Sequence, residues 1–352
     1  MNRTIIHFTA YFMTLLFILA SCSKDIADVS EKEMYPIGFN NVSLQSKASV
    51  TGENIATEGN SFSVYGYYTL NPDAYDAEDN QFKSFNPNPV EVTYSKTKGW
   101  SYENTQYWIT GGAYSFMAYF PAEFPADISE NYPSTSFKNF QIESKQSDQV
   151  DILACQVKRK TEDIFVPNGD IVSFQFKHLL SNVCISLRMA DGYQGVIKAV
   201  ALNNVALRAD CEYSLEPTPT ITWSNHDATT TVGDNKDNVV LINKPDNPET
   251  DVNDSEYVSV DDYFGGDGIM VIPEAITENV LLYIVTTMTV LNEDNITMDK
   301  TFEIQLPAGT VWEAGKRYTY EVELSFENNI KIGTPGVEPW NPGSFGGTIL
   351  IM

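Results

Sequence analysis

The chain has 352 residues, and its 47 acidic residues against 22 lysines and arginines give a formal net charge of −25. The phosphates of a nucleic acid and an anionic lipid surface would repel such a protein, which argues against nucleic-acid binding. A hydrophobic share of 42% with 12% aromatic residues is enough for packed cores and is not a disordered composition. The length predicts about two domains.

The first 34 residues carry export signals. Arg3 precedes a short apolar stretch over residues 5–20, which is the pattern of a secretory signal peptide. The stretch ends in Leu-Ala-Ser-Cys at residues 19–22 and resembles a bacterial lipobox, in which the cysteine sulfur is acylated and the chain is cut just before it. We therefore predict a signal peptide over residues 1–21, lipidation at Cys22 and a flexible tether over residues 22–34. A plain signal peptide with a chance cysteine is the alternative.

The lipid predicts where the protein resides. Acyl chains hold a protein to a membrane by burying methylene groups, at about 0.8 kcal/mol each. We expect the mature chain to lie at the outer membrane and cell surface, anchored through Cys22 at least transiently.

Beyond residue 34 the sequence shows the two-residue periodicity of β-strands and lacks long stretches with helical periodicity. Residues 281–290 are nearly continuously apolar and β-branched, which predicts a buried central strand, and Lys98-Gly99 predicts a hairpin turn. Clear alternation predicts further strands over residues 62–68, 90–94, 114–120, 172–176, 183–187 and 318–326. Prolines and glycines lie mostly between these segments, a pattern typical of antiparallel sandwiches.

A break between two domains is predicted near residues 160–170. A charge cluster covers residues 158–163, and the turn-forming Pro-Asn-Gly-Asp follows at residues 167–170. We predict an N-terminal β-sandwich over residues 35–166 and a C-terminal β-sandwich over residues 167–352.

No motif in the sequence marks a reaction. His178 ends a predicted strand, and we interpret it as a structural histidine. The acidic segment that begins at Asp251 has Glu256 at the position where an EF-hand calcium loop needs glycine, which argues against a calcium loop. With Cys22 lipidated, Cys155, Cys184 and Cys211 form an odd set, and either a Cys184–Cys211 disulfide or buried thiols would fit. We predict a protein without catalysis, metal or cofactor.

Short motifs follow one another in a fixed order behind the lipobox. They are Ile-Gly-Phe at 37–39, Phe-Ser-Val-Tyr-Gly-Tyr at 62–67, Trp-Ser-Tyr at 100–102, Tyr-Trp at 107–108, Tyr-Ser-Phe-Met-Ala-Tyr-Phe-Pro at 114–121, Asp-Ile-Leu-Ala at 151–154, Phe-Lys-His at 176–178, Trp-x-x-Gly-x-x-Tyr-x-Tyr at 312–320 and Val-Glu-Pro-Trp at 337–340. In this order they resemble the fimbrillin family, the pilus proteins of Gram-negative bacteria that are exported as lipoproteins. The resemblance implies an all-β fold of two tandem antiparallel, transthyretin-like β-sandwich domains.

The resemblance also implies assembly by strand exchange. In the family, a first strand fills a groove until a trypsin-like protease removes it, and the C-terminal strand of a neighbouring subunit takes its place. The added strand supplies ladder hydrogen bonds and buries alternate side chains. Residues 37–44 are the candidate temporary strand. Lys47 is the candidate cleavage site, although the family more often has arginine there; a solvated surface lysine is the alternative.

The C-terminus offers a candidate donor strand. It is short, uncharged and apolar, and it could equally be the last strand of the chain's own sandwich. Its residues are Thr348, Ile349, Leu350, Ile351 and Met352.

The sequence therefore predicts a fimbrial subunit or accessory protein that contributes to surface adhesion. Its expected partners are other fimbrial subunits, the outer membrane through the lipid, and a surface ligand of host or bacterial origin. Stalk, tip and anchor positions all remain open. The alternative is a cell-surface lipoprotein that binds glycans on a β-sandwich scaffold.

Overall fold

The computed structural model is almost wholly β-structure. It describes residues 35–44, 55–70, 83–109, 112–123, 127–131, 134–144, 146–160, 171–214, 220–227, 239–242, 250–259, 268–292, 294–327 and 330–340. Within these ranges lie the strands β1 to β23, a 3₁₀ turn at Gln146–Asp148 and no α-helix, so the predicted all-β class is confirmed. The same ranges hold no helix long and apolar enough to cross a membrane.

The first sheet is built mainly from the N-terminal half of the chain. Its strands are β1 (Gly38–Leu44), β2 (Ser61–Thr69), β3 (Lys83–Ser84), β4 (Val90–Ser95), β5 (Gly99–Ser101), β6 (Ala113–Phe120), β9 (Leu153–Lys160) and β10 (Ile171–His178). Its order in space is β1-β10-β9-β6-β2-β4-β5, with β3 also pairing with β2. All described pairs are antiparallel except β1 with β10, which is parallel.

The first sheet is buried on both faces at β2 and β6, whereas β4 and β10 alternate between buried and exposed residues. In β2, Phe62 and Val64 enter one aromatic core, whereas Tyr65 and Tyr67 enter a second core that continues into the C-terminal half. The alternation read from the sequence therefore separates two buried faces here, not a buried face from a wet one. An antiparallel sheet that is covered on both sides must have further layers packed on each face.

Two more sheets form the C-terminal half. The second sheet contains β11 (Ser181–Met189), β17 (Val258–Ser259), β18 (Ile269–Val271), β21 (Lys316–Leu324), β22 (Lys331–Ile332) and β23 (Gly336–Pro339). The third contains β12 (Tyr193–Asn203), β15 (Val239–Ile242), β16 (Thr250–Val252), β19 (Leu281–Val290) and β20 (Thr297–Gln305). As predicted, β19 is a central strand, between β12 and β20, and its side chains alternate between buried and half-buried.

A fourth sheet joins segments that are distant in the sequence. Its order is β14-β13-β8-β7, formed by β7 (Asp127–Asn131), β8 (Ser134–Gln141), β13 (Arg208–Ser214) and β14 (Thr220–Asp227). The chain passes from the first sheet to the second at Leu179 and Leu180, between β10 and β11. The division into domains at residues 166 and 167, and the tandem transthyretin-like arrangement, stay predictions.

The hairpin predicted at Lys98-Gly99 is present. Tyr94 pairs with Trp100 and Ser95 with Gly99 across β4 and β5. Gly99 has a φ of 69°, a conformation that a residue without a Cβ adopts readily. The Oγ of Ser95 accepts a hydrogen bond of 3.1 Å from the backbone N–H of Lys98, which closes the turn.

One motif occurs twice, which the sequence analysis missed. Trp-x-x-Gly-x-x-Tyr is present at residues 108–114 as well as at 312–318. The Tyr318 hydroxyl donates to the Val311 carbonyl (2.6 Å) and accepts from the Glu313 N–H (2.9 Å). The Tyr114 hydroxyl bonds in the same way to the Tyr107 carbonyl (3.4 Å) and the Ile109 N–H (2.6 Å). We call these two arrangements the tyrosine corners.

Candidate functional site

The first described strand, β1, stands at one end of the strand order of the first sheet, and it also lies beside β5, the strand at the other end. On one side it pairs in parallel with β10, with Asn41 to Leu44 opposite Ser173 to Phe176. On its other side it lies beside β5. A bulge interrupts the pairing between Gly38 and Asn41. β1 therefore fills the gap that would otherwise separate β10 from β5.

Backbone hydrogen bonds tie the start of this segment to the loop after β5. The Ile37 N–H donates to the Gln106 carbonyl (2.8 Å), and the Trp108 N–H donates to the Tyr35 carbonyl (2.9 Å). The Tyr102 hydroxyl donates to the Ile37 carbonyl (2.7 Å) and accepts from the Gln106 N–H (3.1 Å). Burial raises the pKa of Tyr102, so this hydroxyl stays protonated and able to donate at neutral pH.

Phe39 places the largest apolar side chain of this segment in the core. Its ring stacks on Phe174 of β10 at 5.6 Å and lies 5.1 Å from Tyr102 and 5.8 Å from Phe116. Ile37 and Phe39 are each only 1% exposed. Burying a side chain of this size stabilises a fold by about 1.5–3 kcal/mol.

Loss of residues 35–44 would open an apolar groove. The edge of β10 would lose its ladder partner, and buried residues of that strand, Val172, Phe174 and Phe176, would lose the cover that Phe39 and Ile37 give to their core. An open strand edge beside an uncovered core is a site where another extended segment can add.

The other sequence-predicted site residues lie outside the described ranges. They are Cys22, Lys47, Thr348, Ile349, Leu350, Ile351 and Met352. Lipidation, processing and donation of the C-terminal strand thus stay predictions.

A second cluster lies where the first sheet meets the second, and we call it the junction cluster. His178 Nδ1 is 2.6 Å from Asp151 Oδ2, and the His178 ring stacks on Trp340 with ring centres 4.0 Å apart. The Trp340 N–H donates to the Gly315 carbonyl (2.9 Å). Gly315 has a φ of 70°, and its own N–H donates to the Leu180 carbonyl (2.8 Å).

Four sequence motifs that lie far apart in the chain therefore meet at the junction cluster: Asp-Ile-Leu-Ala, Phe-Lys-His, Trp-x-x-Gly-x-x-Tyr and Val-Glu-Pro-Trp. His178 is 5% exposed, and its Nε2 is buried with no hydrogen-bond partner in the described part of the chain. The arrangement packs and positions strand ends, and it offers no accessible nucleophile or base. No grouping of three potential metal ligands occurs among the residues that the structure describes.

The three cysteines behind the lipobox are buried thiols. Cys155, Cys184 and Cys211 form no disulfide. Burial raises the pKa of Cys155 and of Cys211, because a thiolate would lose its solvation there. Of the two alternatives left open by the sequence, the structure has the thiols.

Comparison with known protein families identifies the family of this chain. The sequence profile described as fimbrillin-like matches residues 47–340 of this chain. The chain belongs to the fimbrillin-like family. Its members are fimbrial and adhesive proteins, which implies a place at the cell surface and association with other fimbrial subunits, and no evidence points to catalysis.

Solved structures with this fold include a fimbrial protein from Bacteroides vulgatus, with a TM-score of 0.59 and 16% identity over 87% of this chain and 100% of that chain. The fimbrial anchor protein Mfa2 from Porphyromonas gingivalis gives a TM-score of 0.38 and 10% identity over 87% of this chain and 98% of that chain. At 16% identity the likeness to the Bacteroides vulgatus protein shows the fold alone. Comparison with curated proteins finds no match.

Proposed function

We propose that this chain is a fimbrial subunit or accessory protein that is exported as a lipoprotein and assembles by strand exchange. The observation that carries the proposal is the position of β1. It is a short N-terminal strand, parallel to β10, that fills a gap between the ends of one sheet. Such a strand can be withdrawn without unthreading the rest of the chain.

The sequence on either side of β1 supports the same mechanism. In the sequence Lys47 comes three residues after the end of β1 and offers a basic residue to a trypsin-like protease. Cleavage there would release residues 22–47 together with the lipid at Cys22. The apolar C-terminal residues 348–352 would then supply a replacement strand to the next subunit, and such head-to-tail contacts build open filaments.

Limited trypsin treatment of the purified full-length chain tests this proposal. We expect a ladder of oligomers on an unboiled detergent gel, accompanied by loss of the segment up to Lys47. Lys47→Gln should abolish both the cleavage and the ladder. Lys98→Gln, at an exposed turn lysine between β4 and β5, is the matched control and should leave the ladder intact.

Two further variants separate the parts of the mechanism. Deleting residues 348–352 should leave a cleaved monomer, and an unchanged ladder would show that the tail is not the donor. Cys22→Ala should release the protein from the membrane fraction, and retention there would contradict the lipid anchor. A protein that stays monomeric after cleavage at Lys47 would contradict strand exchange altogether.

A further inference from the structure

A groove of about 530 Å³ opens on the C-terminal half of the protein and is lined by no residue of β1 or β10. One wall is β14, which contributes Ile221, Trp223 and His226. The other wall comes from residues 273–275 and from residues 311–314 in the second tyrosine corner. We call it the β14 groove.

The apolar side chains of the β14 groove are held in place by contacts with their neighbours. The Trp223 Nε1 donates to the Leu179 carbonyl (2.9 Å), and its ring packs edge-on against Phe140. Ala275 pairs with Val311 in an isolated β-bridge. Val311 is nevertheless 51% exposed, which makes it one of the most exposed large apolar side chains in the described part of the chain.

Two carboxylates and one histidine are among the residues that line the β14 groove. Glu274 Oε1 accepts a hydrogen bond from the Ala206 N–H (2.9 Å). His226 Nε2 lies 2.8 Å from the Pro273 carbonyl, so Nε2 carries a proton and donates a hydrogen bond to that carbonyl. Glu313 adds an exposed carboxylate. A ligand that satisfies the two carboxylates must bring donors, and a cation fits best.

The wall formed by β14 is also a strand edge. In the fourth sheet β14 pairs with β13, and across the described ranges no strand pairs with its other side. An edge strand presents backbone N–H and C=O groups that an extended peptide can pair with. The β14 groove thus combines a strand edge, apolar side chains such as Trp223 and Val311, and two carboxylates.

We propose that the β14 groove binds an extended segment of a partner protein that carries an arginine or lysine side chain. The segment adds to the edge of β14 as a further strand. The aliphatic stem of its basic residue lies over Trp223 and Val311, and the cationic head reaches Glu274 and Glu313. With 22 basic residues against 47 acidic ones, a second copy of this chain fits poorly, so the partner is a basic protein.

Burial disfavours the ionised form of Glu274 while the β14 groove holds no ligand. It raises the pKa of Glu274, although the Ala206 N–H and the nearby His226 act in the opposite direction. A bound guanidinium or ammonium would favour the ionised carboxylate, and an acidic ligand would meet two carboxylates. Binding at this site requires no proteolysis, and it would persist even if β1 were never exchanged.

Fluorescence anisotropy with the full-length chain tests the proposal. The probe is a labelled acetyl-Ser-Val-Arg-Val-Ser-Gly amide, and we expect saturable binding. Replacing both carboxylates, with Glu274→Gln and Glu313→Gln, should weaken binding at least tenfold, because each charge-assisted hydrogen bond is lost. Glutamine at position 274 keeps an acceptor for the Ala206 N–H, so the fold is retained. Glu303→Gln, an exposed carboxylate of β20, is the charge-matched control and should bind as the unmodified chain does.

Three companion ligands complete the test. A peptide with glutamate in place of arginine and a peptide N-methylated at alternate backbone amides should each bind at least tenfold more weakly. Equal binding of the glutamate peptide would overturn the role of charge, and equal binding of the methylated peptide would overturn strand addition. Displacement of the arginine peptide by an uncharged N-acetylglucosamine hexamer would reassign the β14 groove to glycans. Absence of binding by the arginine peptide at millimolar concentration would also refute the proposal.

Discussion

At the scale of single residues, two tyrosine hydroxyls each hold a loop of backbone in place. In both tyrosine corners the hydroxyl reaches the carbonyl seven positions back and the N–H five positions back. In the second corner, Trp312 adds a bond of 3.2 Å from its Nε1 to the Tyr320 hydroxyl. The spacing of Trp-x-x-Gly-x-x-Tyr is therefore a requirement of geometry, and it recurs where a loop leads into a buried strand.

Tyr318→Phe should destabilise the protein by about 1–3 kcal/mol, because the Val311 carbonyl and the Glu313 N–H would lose their partner. The midpoint of urea unfolding, monitored by tryptophan fluorescence, measures the effect. Tyr283→Phe is the control, since the half-buried Tyr283 hydroxyl has no hydrogen-bond partner in the described ranges. Equal midpoints for the two variants would contradict the structural role of the corner.

A second residue-scale feature is the acidic centre of an ion-pair cluster. Lys331 bonds to Oε1 of Glu323 and Arg188 bonds to Oε2, while the Glu323 side chain is 6% exposed. These two cations hold the pKa of Glu323 below its ordinary value, although burial opposes the shift. The Glu323 carboxylate is buried, whereas the side chains of Arg188 and Lys331 are 31% and 76% exposed, so removing either cation leaves the carboxylate with one partner fewer and destabilises the fold.

The lowered pKa of Glu323 gives the stability a defined pH dependence. A carboxyl with a lower pKa in the folded state stabilises the fold above its unfolded value, about 4.3 for glutamate, and loses that contribution as the pH falls further. Glu323→Gln should lower the urea midpoint at pH 7 and flatten its decline below pH 4. Glu303→Gln should do neither, and a parallel decline in both variants would rule out Glu323 as a source of the acid sensitivity.

At the scale of elements, the pairing of β1 with β10 shows how one strand is held at the end of the first sheet. Among the described strands β1 pairs with β10 alone, and among the described side chains Ile37, Phe39 and the hydroxyl of Tyr102 hold this segment. These anchors resist the withdrawal of the strand.

Phe39→Ala should destabilise the intact chain by about 3–5 kcal/mol, since it leaves a cavity between Tyr102, Phe116 and Phe174. Ile171→Ala removes apolar atoms at the 42% exposed start of β10 and should change the unfolding free energy by less than about 1 kcal/mol. Urea denaturation of both variants gives the comparison. A Phe39→Ala protein as stable as the Ile171→Ala protein would show that β1 is not held by its aromatic anchor.

The alternation of apolar residues predicts well which face of a strand is buried, but it predicts poorly which strands pair with each other. It correctly groups Val172, Phe174 and Phe176 on one buried face, and Val183, Ile185 and Leu187 on another. It cannot show that β8 pairs with β13, or that β1 runs parallel to β10, because these pairings join segments distant in sequence. The β14 groove could not be predicted from the sequence either, since its two walls come from three separate regions of the chain. The repeated Trp-x-x-Gly-x-x-Tyr was readable, and a search for internal repeats would have found it.

At the scale of the whole molecule, β10 connects the candidate strand-exchange site to the junction cluster. One edge of β10 carries β1, and its last residue, His178, stacks on Trp340, the last described residue before the C-terminal tail. A disturbance of β10 would therefore reach Trp340 through two packed rings.

Cleavage after β1 should consequently loosen the segment that ends at Trp340. We expect faster amide hydrogen exchange over residues 336–340 after trypsin treatment, with no change in β19, which lies in another sheet. Mass spectrometry of the exchanged chain measures both segments. To keep assembly from masking the effect, the experiment uses the chain that lacks residues 348–352. Unchanged exchange over residues 336–340 would show that the two sites are independent.

The thiol state of Cys155, Cys184 and Cys211 determines how stable a filament of this chain would be under reducing conditions. Nothing in the described part of the molecule depends on an oxidised sulfur pair. The melting temperature should therefore be the same with and without excess dithiothreitol, and a drop would reveal a bridge that contradicts the buried thiols. Such a fibre would keep its strength in oxygen-poor, sulfide-rich surroundings that dismantle disulfide-bonded appendages.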